Sequence, residues 1–492
     1  MLKVIYSTVG SILFVTFTYV LYRFALGKLK YYRLKDQIPF IKSDIKNPVG
    51  RFVMGSGPRF ANVIKDPILL SKWREETKSD IVGFNGPDGP SVIVFDKELI
   101  THIGASKHTS DFEKTTQGKH VLRFLDKGIL LQEGKEHAKV RKELLPIFNI
   151  SNIKMMHPEF VKGAKKLVEK LKTVYPRNYP IVDDLQACTL DIISKVGFNY
   201  DMNSLDGSSE VSKAFEEVLV VVEFSKMLLL QFAFPAIANV ISLFQTKEKK
   251  ATKIIQTCID DVIQKRIKDP KPHDDLLSKI LETTEGKTDK DMLISLRQQL
   301  ITFMAAGHET TSSGLSWAIY VLGTNKEVQE KLREEINTTL NGRDPTWDDI
   351  QSMKYLDNVF NEIFRMYSPV SLLTRQNNKP FIFKDILFPS GTNFMMLLQG
   401  RHMDKDNFEN PEQFRPERWE EPQSDSFAFL PFWLGSRGCI GKNLAIAEFK
   451  TILVLLIQHL QLTVSPKLNV ERIMRVTQKP SDLKVSIKSV VK

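Results

Sequence analysis

A mainly α fold with a minor β region is predicted, and three observations carry the prediction. Helical patterning dominates from about residue 134 to 368. Short β-rich runs lie on either side of it, at Ile81–Phe84 and Ser91–Phe95 before and from Pro369 onward after. The composition, 42% hydrophobic and 26% charged over 492 residues, is that of a globular chain with ample core. It excludes a disordered, collagen-like or polytopic membrane protein.

The first element is apolar. Val4–Tyr22 is a run of 19 residues without a charge, and as a helix it spans roughly 28 Å, close to the hydrocarbon thickness of a bilayer. Lys28, Lys30, Arg33 and Lys35 follow as a cytosolic flank. A cleaved signal peptide is the rival reading. Against it, the run is long, only Lys3 precedes it, and no small-residue cleavage site stands before the basic cluster. A retained single transmembrane helix is expected over 1–24, with a basic, Pro/Gly-punctuated linker over 25–58 and the catalytic domain over 59–492. The net charge, 69 − 58 = +11, fits a lysine-rich protein at a membrane. It does not imply nucleic acid, because no basic run interleaves with aromatics.

The next elements follow from turn chemistry and caps. Asn-Gly and Asp-Gly within Asn85–Pro90 join the two β runs as a hairpin. The helical stretch breaks at Lys268–His273 and Asn341–Pro345. A long central helix is expected from an N-cap at Thr288, with Asp291 three residues on, to about Leu322. A last helix fits Gly441–Leu460, and strands close the chain at Leu462–Val464 and Leu483–Ile487. Three cysteines exclude a disulfide scaffold and a four-cysteine zinc module.

One of those cysteines stands apart. In Phe432-Trp433-Leu434-Gly435-Ser436-Arg437-Gly438-Cys439-Ile440-Gly441, three glycines surround Cys439 just before a helix. Glycines permit close approach of a flat ligand, helix-terminal N–H groups favour thiolate, and Arg437 suits a carboxylate. A generic Gly-Cys-Gly turn reads as a free core cysteine. This one resembles, at every fixed position, the haem-binding loop of the cytochrome P450 family, Phe-x-x-Gly-x-Arg-x-Cys-x-Gly. The resemblance implies the cytochrome P450 fold and haem b (iron protoporphyrin IX) held through Cys439 as axial iron ligand, with Phe432, Gly435, Arg437 and Gly441 around it. Cys188 and Cys258 have no such surroundings and read as buried structural residues.

Three further stretches fit the resemblance. Ala306-Gly307-His308-Glu309-Thr310-Thr311 lies in the central helix, where Gln299, Phe303, Ala306, Thr310 and Ser313 share a face. Alone this is a small-residue packing seam. The family resemblance implies that Ala306 and Gly307 make room for dioxygen while Glu309 and Thr310 support protonation. Glu362 and Arg365, one turn apart, with Arg418 in the later Phe-Arg-Pro-Glu-Arg-Trp stretch, resemble the family's structural ionic network. Trp419 stands there where the family usually has Phe. Gly134–Arg141 resembles the haem-crossing helix with His137 in place of Trp, a form similar to fungal or lower-eukaryote branches. His137, Arg141, Arg375 and Arg437 are then the haem propionate candidates.

The opposite face of that helix carries Lys135, Lys139 and Lys142, either an ordinary solvated face or a docking row for an acidic reductase. As a whole the resemblance implies a microsomal monooxygenase of the endoplasmic reticulum membrane, its catalytic domain cytosolic. It uses O2 and NADPH, with NADPH-cytochrome P450 reductase as partner and cytochrome b5 as an optional second donor. The implied substrate is a lipophilic fatty acid, sterol, terpenoid or xenobiotic. By the same analogy Lys107–Leu122, Phe303–Ala306, Ser371–Leu373 and Thr477–Lys479 line the pocket, and Met227–Phe234 either dips into the membrane or packs in the core. A haem-thiolate isomerase acting on peroxides without reductase, and a non-catalytic haem binder, are the competing classes. The complete Glu309-Thr310 pair argues against both.

Overall fold

The computed structural model describes residues 18–19, 21–48, 56, 69–86, 89–115, 118–119, 122–173, 178–207, 209–220, 246–269, 275–283, 289–421, 425–468, 470–474 and 476–490. Residues 1–17 and 20 of the expected anchor, and all of 227–234, lie outside the described residues. Among the described residues no helix is long and apolar enough to cross a membrane.

The strands, in chain order, are β1 (Ile81–Gly86), β2 (Gly89–Val94), β3 (Phe112–Glu113), β4 (Tyr179–Pro180), β5 (Leu372–Asn377), β6 (Phe381–Phe383), β7 (Ile386–Phe388), β8 (Asn393–Leu397), β9 (Leu460–Thr463), β10 (Arg472–Met474), β11 (Gln478–Pro480) and β12 (Lys484–Ser489). The principal helices are α1 (Gly134–Leu144), α2 (Ile150–Thr173), α3 (Val182–Phe198), α4 (Thr246–Lys268), α5 (Lys290–Thr324), α6 (Lys326–Leu340), α7 (Lys354–Met366) and α8 (Lys442–His459). These fold into two interleaved units, 1–121 with 222–246 and 372–400, and 122–221 with 247–371 and 401–492.

The first unit is built on a five-stranded sheet of order β1-β2-β8-β5-β3. The predicted hairpin is there, with Ile81 opposite Val94 and Phe84 opposite Ser91. Strand β2 pairs in parallel with β8 and is buried on both faces, which is why it reads as a continuous apolar run. Val82, Phe84, Ile93, Phe95, Met395 and Leu397 close its core with Trp73. The start of the expected linker is instead helical over 21–34. That helix docks where a Cβ on Gly89 would come within 2.8 Å of Gly27 Cα, at φ +119°. Only glycine tolerates both the contact and the dihedral.

The second unit is helical. Helix α8 is mostly apolar and buried on every face from Ala447 to Gln458, with Phe449 and Ile452 to Ile457 at 0% exposure. Such a helix must sit inside the core, and each of its aliphatic side chains contributes roughly 1.5–3 kcal/mol by burial. Helix α5 spans 35 residues and starts one residue later than predicted. Asp289 is its N-cap, its side chain accepting from Met292 N–H at 2.9 Å, and Thr288 lies outside the described residues. Gly307 lets α3 approach, since a Cβ there would meet Ile193 Cγ1 at 2.9 Å. Beside it Thr189 Oγ1 donates to the His308 carbonyl at 3.0 Å. The chain closes with β12 pairing β4 and β9 and with the β10–β11 hairpin.

Candidate active site

Cys439 stands three residues before α8, after a turn that uses two positive-φ residues. Gly435 has φ +65° and Trp433 φ +59°, and the Cys439 N–H returns to the Phe432 carbonyl at 2.9 Å. Gly441 is the N-cap of α8. The residue is exposed, yet the surrounding protein desolvates its sulfur enough to push the thiol up. The Gly441 N–H, Arg141 and Lys442 pull the other way, toward thiolate. A desolvated sulfur on an exposed residue sits in a recess.

Arg141 belongs to the same recess. Desolvation lowers its pKa, the Cys439 charge opposes that and Arg437 adds to it, so the two guanidiniums and the sulfur feel one another. Helix α1 turns the buried His137 inward and leaves Lys135, Lys139 and Lys142 exposed, as its spacing requires. Arg437 is engaged differently from the expectation. It donates to the Gln132 carbonyl at 2.8 Å and pairs with Glu133, tying the cysteine loop to the start of α1. Arg375 lies buried on β5 of the first unit, donating to the Thr374 carbonyl at 2.8 Å. Phe432 joins a ring cluster, 5.9 Å from Phe364 and 6.5 Å from Phe360.

Helix α5 is buried over most of its length and opens at Ala306, with Gly307 and Thr310 partly exposed. The opening is closed toward the N-terminus by Gln299, whose Oε1 accepts from Ile129 N–H at 2.9 Å, and toward the C-terminus by Ser313, donating to the Gln478 carbonyl at 2.6 Å. Ala306 is the exposed residue of this stretch. Gly307 does not provide open space, because Ile193 occupies the position its side chain would take. Thr310 Oγ1 donates to the Ala306 carbonyl at 2.7 Å. Glu309 points elsewhere, with Lys479 Nζ 2.8 Å from its Oε2 and Thr477 Oγ1 donating to Oε1 at 2.9 Å. Thr477 and Lys479, expected to line a substrate pocket, are both buried against this carboxylate.

The ionic network is present and larger than predicted. Glu362 accepts from Arg365 twice, Arg418 Nε and the Arg415 N–H, all at 2.9 Å, and from Trp419 Nε1 at 3.0 Å. The Trp419 departure thus adds a donor that Phe lacks. Cys188 is fully buried and its thiol pushed up by burial, while Cys258 is only half-buried.

The family model for Cytochrome P450 matches residues 47–487. The chain belongs to the cytochrome P450 family. Cytochrome P450 3A12 of Canis lupus familiaris is 29% identical over 96% of this chain and 97% of its own length. Carotene epsilon-monooxygenase, chloroplastic, of Arabidopsis thaliana is 29% identical over 81% and 77%. Bifunctional cytochrome P450/NADPH--P450 reductase 2 of Bacillus subtilis is 29% identical over 86% of this chain and 41% of its own. This P450 is a monooxygenase, its cofactor is haem b, and O2 and NADPH-derived electrons are its co-substrates. The residues present fit that cofactor: a recessed sulfur at a helix N-terminus, a desolvated Arg141 beside it for an anionic edge, and an opening at Ala306 in a helix otherwise buried.

Sequence reasoning placed Lys479 at a substrate pocket, not on Glu309, and missed Gln132, Glu133 and Glu448. Of these only Glu448 carried a signal, a lone acid in the apolar run Leu444–Ile457.

Proposed function

We propose that this P450 hydroxylates a lipophilic small molecule with electrons passed from NADPH through a separate flavoprotein reductase. Its catalytic domain would work at the cytosolic face of the endoplasmic reticulum, anchored by the apolar run Val4–Tyr22. The observation that carries the reading is Cys439 itself, exposed in the glycine turn before α8, with its N–H returned to the Phe432 carbonyl at 2.9 Å and Gly441 as the helix N-cap. When bound there, haem supplies thiolate-ligated iron at which dioxygen is activated. Around it, Arg141 and the buried His137 present donors to the propionates, and Gly441 and Lys442 stabilise the sulfur's negative charge. Ala306 leaves space on α5, while Thr310 and Glu309 hold and move protons beside it. The Glu362 network keeps the cysteine loop in one geometry and takes no part in the chemistry.

A reductase partner is supported by the exposed row Lys135, Lys139 and Lys142 on the outer face of α1 and by the bifunctional Bacillus relative. Complementary charge steers such an encounter. The test is spectroscopic and kinetic. Cys439→Ala should lose the carbon-monoxide difference band of thiolate-ligated ferrous haem, and Thr310→Ala should uncouple NADPH use from product. Turnover of a peroxide substrate without NADPH would assign the isomerase class instead.

A further inference from the structure

We propose that Lys479 is a positioning residue that holds Glu309 toward β11 and away from Thr310, so that the β10–β11 hairpin governs proton supply along α5. This rests on the reading of Glu309 and Thr310 as the proton-handling pair. Thr477 stands just before β11 and Lys479 lies within it, and both reach the same carboxylate, at 2.9 and 2.8 Å. Glu309 and Lys479 are buried, with side chains 1% and 8% exposed. The hairpin is fastened to α5 between them. Gln478 O accepts from Ser313 Oγ at 2.6 Å and Trp317 Nε1 at 2.8 Å, and Gln478 N–H donates to the Pro369 carbonyl at 2.8 Å. Lys479 is thereby delivered to Glu309 by backbone, not by chance of rotamer.

The other groups facing Glu309 cannot substitute for it. Helix α3 offers only Gln186, whose Nε2 is 3.5 Å from Oε2. On its own helix His308 is buried, its Nδ1 committed to the Met304 carbonyl at 2.7 Å. Thr310, one residue on, is turned about 100° round the helix and bonds the Ala306 carbonyl. The two members of the pair therefore have separate partners, and Glu309 can serve Thr310 only when Lys479 lets go.

The test compares the holoenzyme with Lys479→Met, Lys479→Arg, Glu309→Gln and the Glu309→Gln/Lys479→Met double variant. One readout is the denaturant unfolding midpoint from about pH 5 to about pH 9. The other is NADPH-driven oxygen uptake with added reductase over the same range. In Lys479→Met the carboxyl has lost its counter-charge, so the midpoint should fall as pH rises, and the double variant should abolish that fall. The oxygen-uptake profile of Lys479→Met should move its alkaline limb up by about one pH unit, while Lys479→Arg keeps the wild-type profile. Parallel unfolding curves for wild type and Lys479→Met would overturn the proposal. So would an unmoved uptake profile in Lys479→Met beside a lowered one in Glu309→Gln, which leaves the reading of Glu309 intact. Unchanged uptake in Glu309→Gln would instead overturn that underlying reading, and the proposal with it.

Discussion

Glu309 on α5 and Glu448 on α8 are buried to the same depth, 1% and 2% exposed, and their carboxyls are driven in opposite directions. At Glu309 desolvation pushes the pKa up, but the Lys479 charge, its hydrogen bond and that of Thr477 hold it below the usual carboxylate range. At Glu448 burial pushes the pKa up to about 8, and Oε1 has no hydrogen-bond partner among the described residues. Burial sets the size of the penalty; the counter-charge decides its sign. One region of the second unit therefore carries a carboxylate near neutral pH and the other a carboxylic acid.

The comparison can be broken or sharpened by substitution. The largest effect is expected at a third buried glutamate, Glu362, which has more partners than either. Arg365→Met leaves its 0% exposed carboxylate short of two hydrogen bonds. The loss should be about 3–5 kcal/mol in denaturant unfolding, with haem retention falling in parallel. Glu448→Gln comes next, and its sign depends on pH. The folded pKa lies above the ordinary 4.5, so stability is full below about pH 4.5 and declines until about pH 8. The variant should gain nothing at the acid end and up to about 5 kcal/mol at the alkaline end. Unfolding curves with the same pH dependence for both proteins would contradict this.

A smaller change is expected for Trp419→Phe, which removes one of the five bonds on Glu362 and should cost about 1 kcal/mol. Smallest in stability are the exposed lysines of α1. Reversing the charge of Lys135, Lys139 and Lys142 together should leave unfolding within about 1 kcal/mol. It should raise the apparent KM for reductase without moving the haem spectrum, and unchanged kinetics across a salt series would remove the docking row.

Much of the site was legible because its signals are local. The cysteine loop, the helix that follows it and the inward His137 against the outward lysines all depend on spacings of a few residues, which backbone geometry converts directly into faces and turns. Helix α5 was found for the same reason, its cap misread by one residue because Thr288 and Asp289 carry the same capping chemistry. Gly307 was read as space for a ligand. A missing side chain looks the same in sequence whether a ligand or Ile193 fills the gap. Lys479 was expected at a substrate pocket, and nothing local paired it with Glu309, since that partner lies 170 residues away.

By itself the sequence determined the family, the glycine turn that carries Cys439, the helical architecture and the Glu362, Arg365 and Arg418 side chains of the ionic network, since each is written in short-range patterns of residue type. Tertiary structure alone decided which buried acid is charged, where Arg437 spends its guanidinium and what stands against Gly307. Those outcomes depend on which distant side chain arrives within a few ångströms of a desolvated group, and the energy of that encounter is set by packing, not by sequence distance.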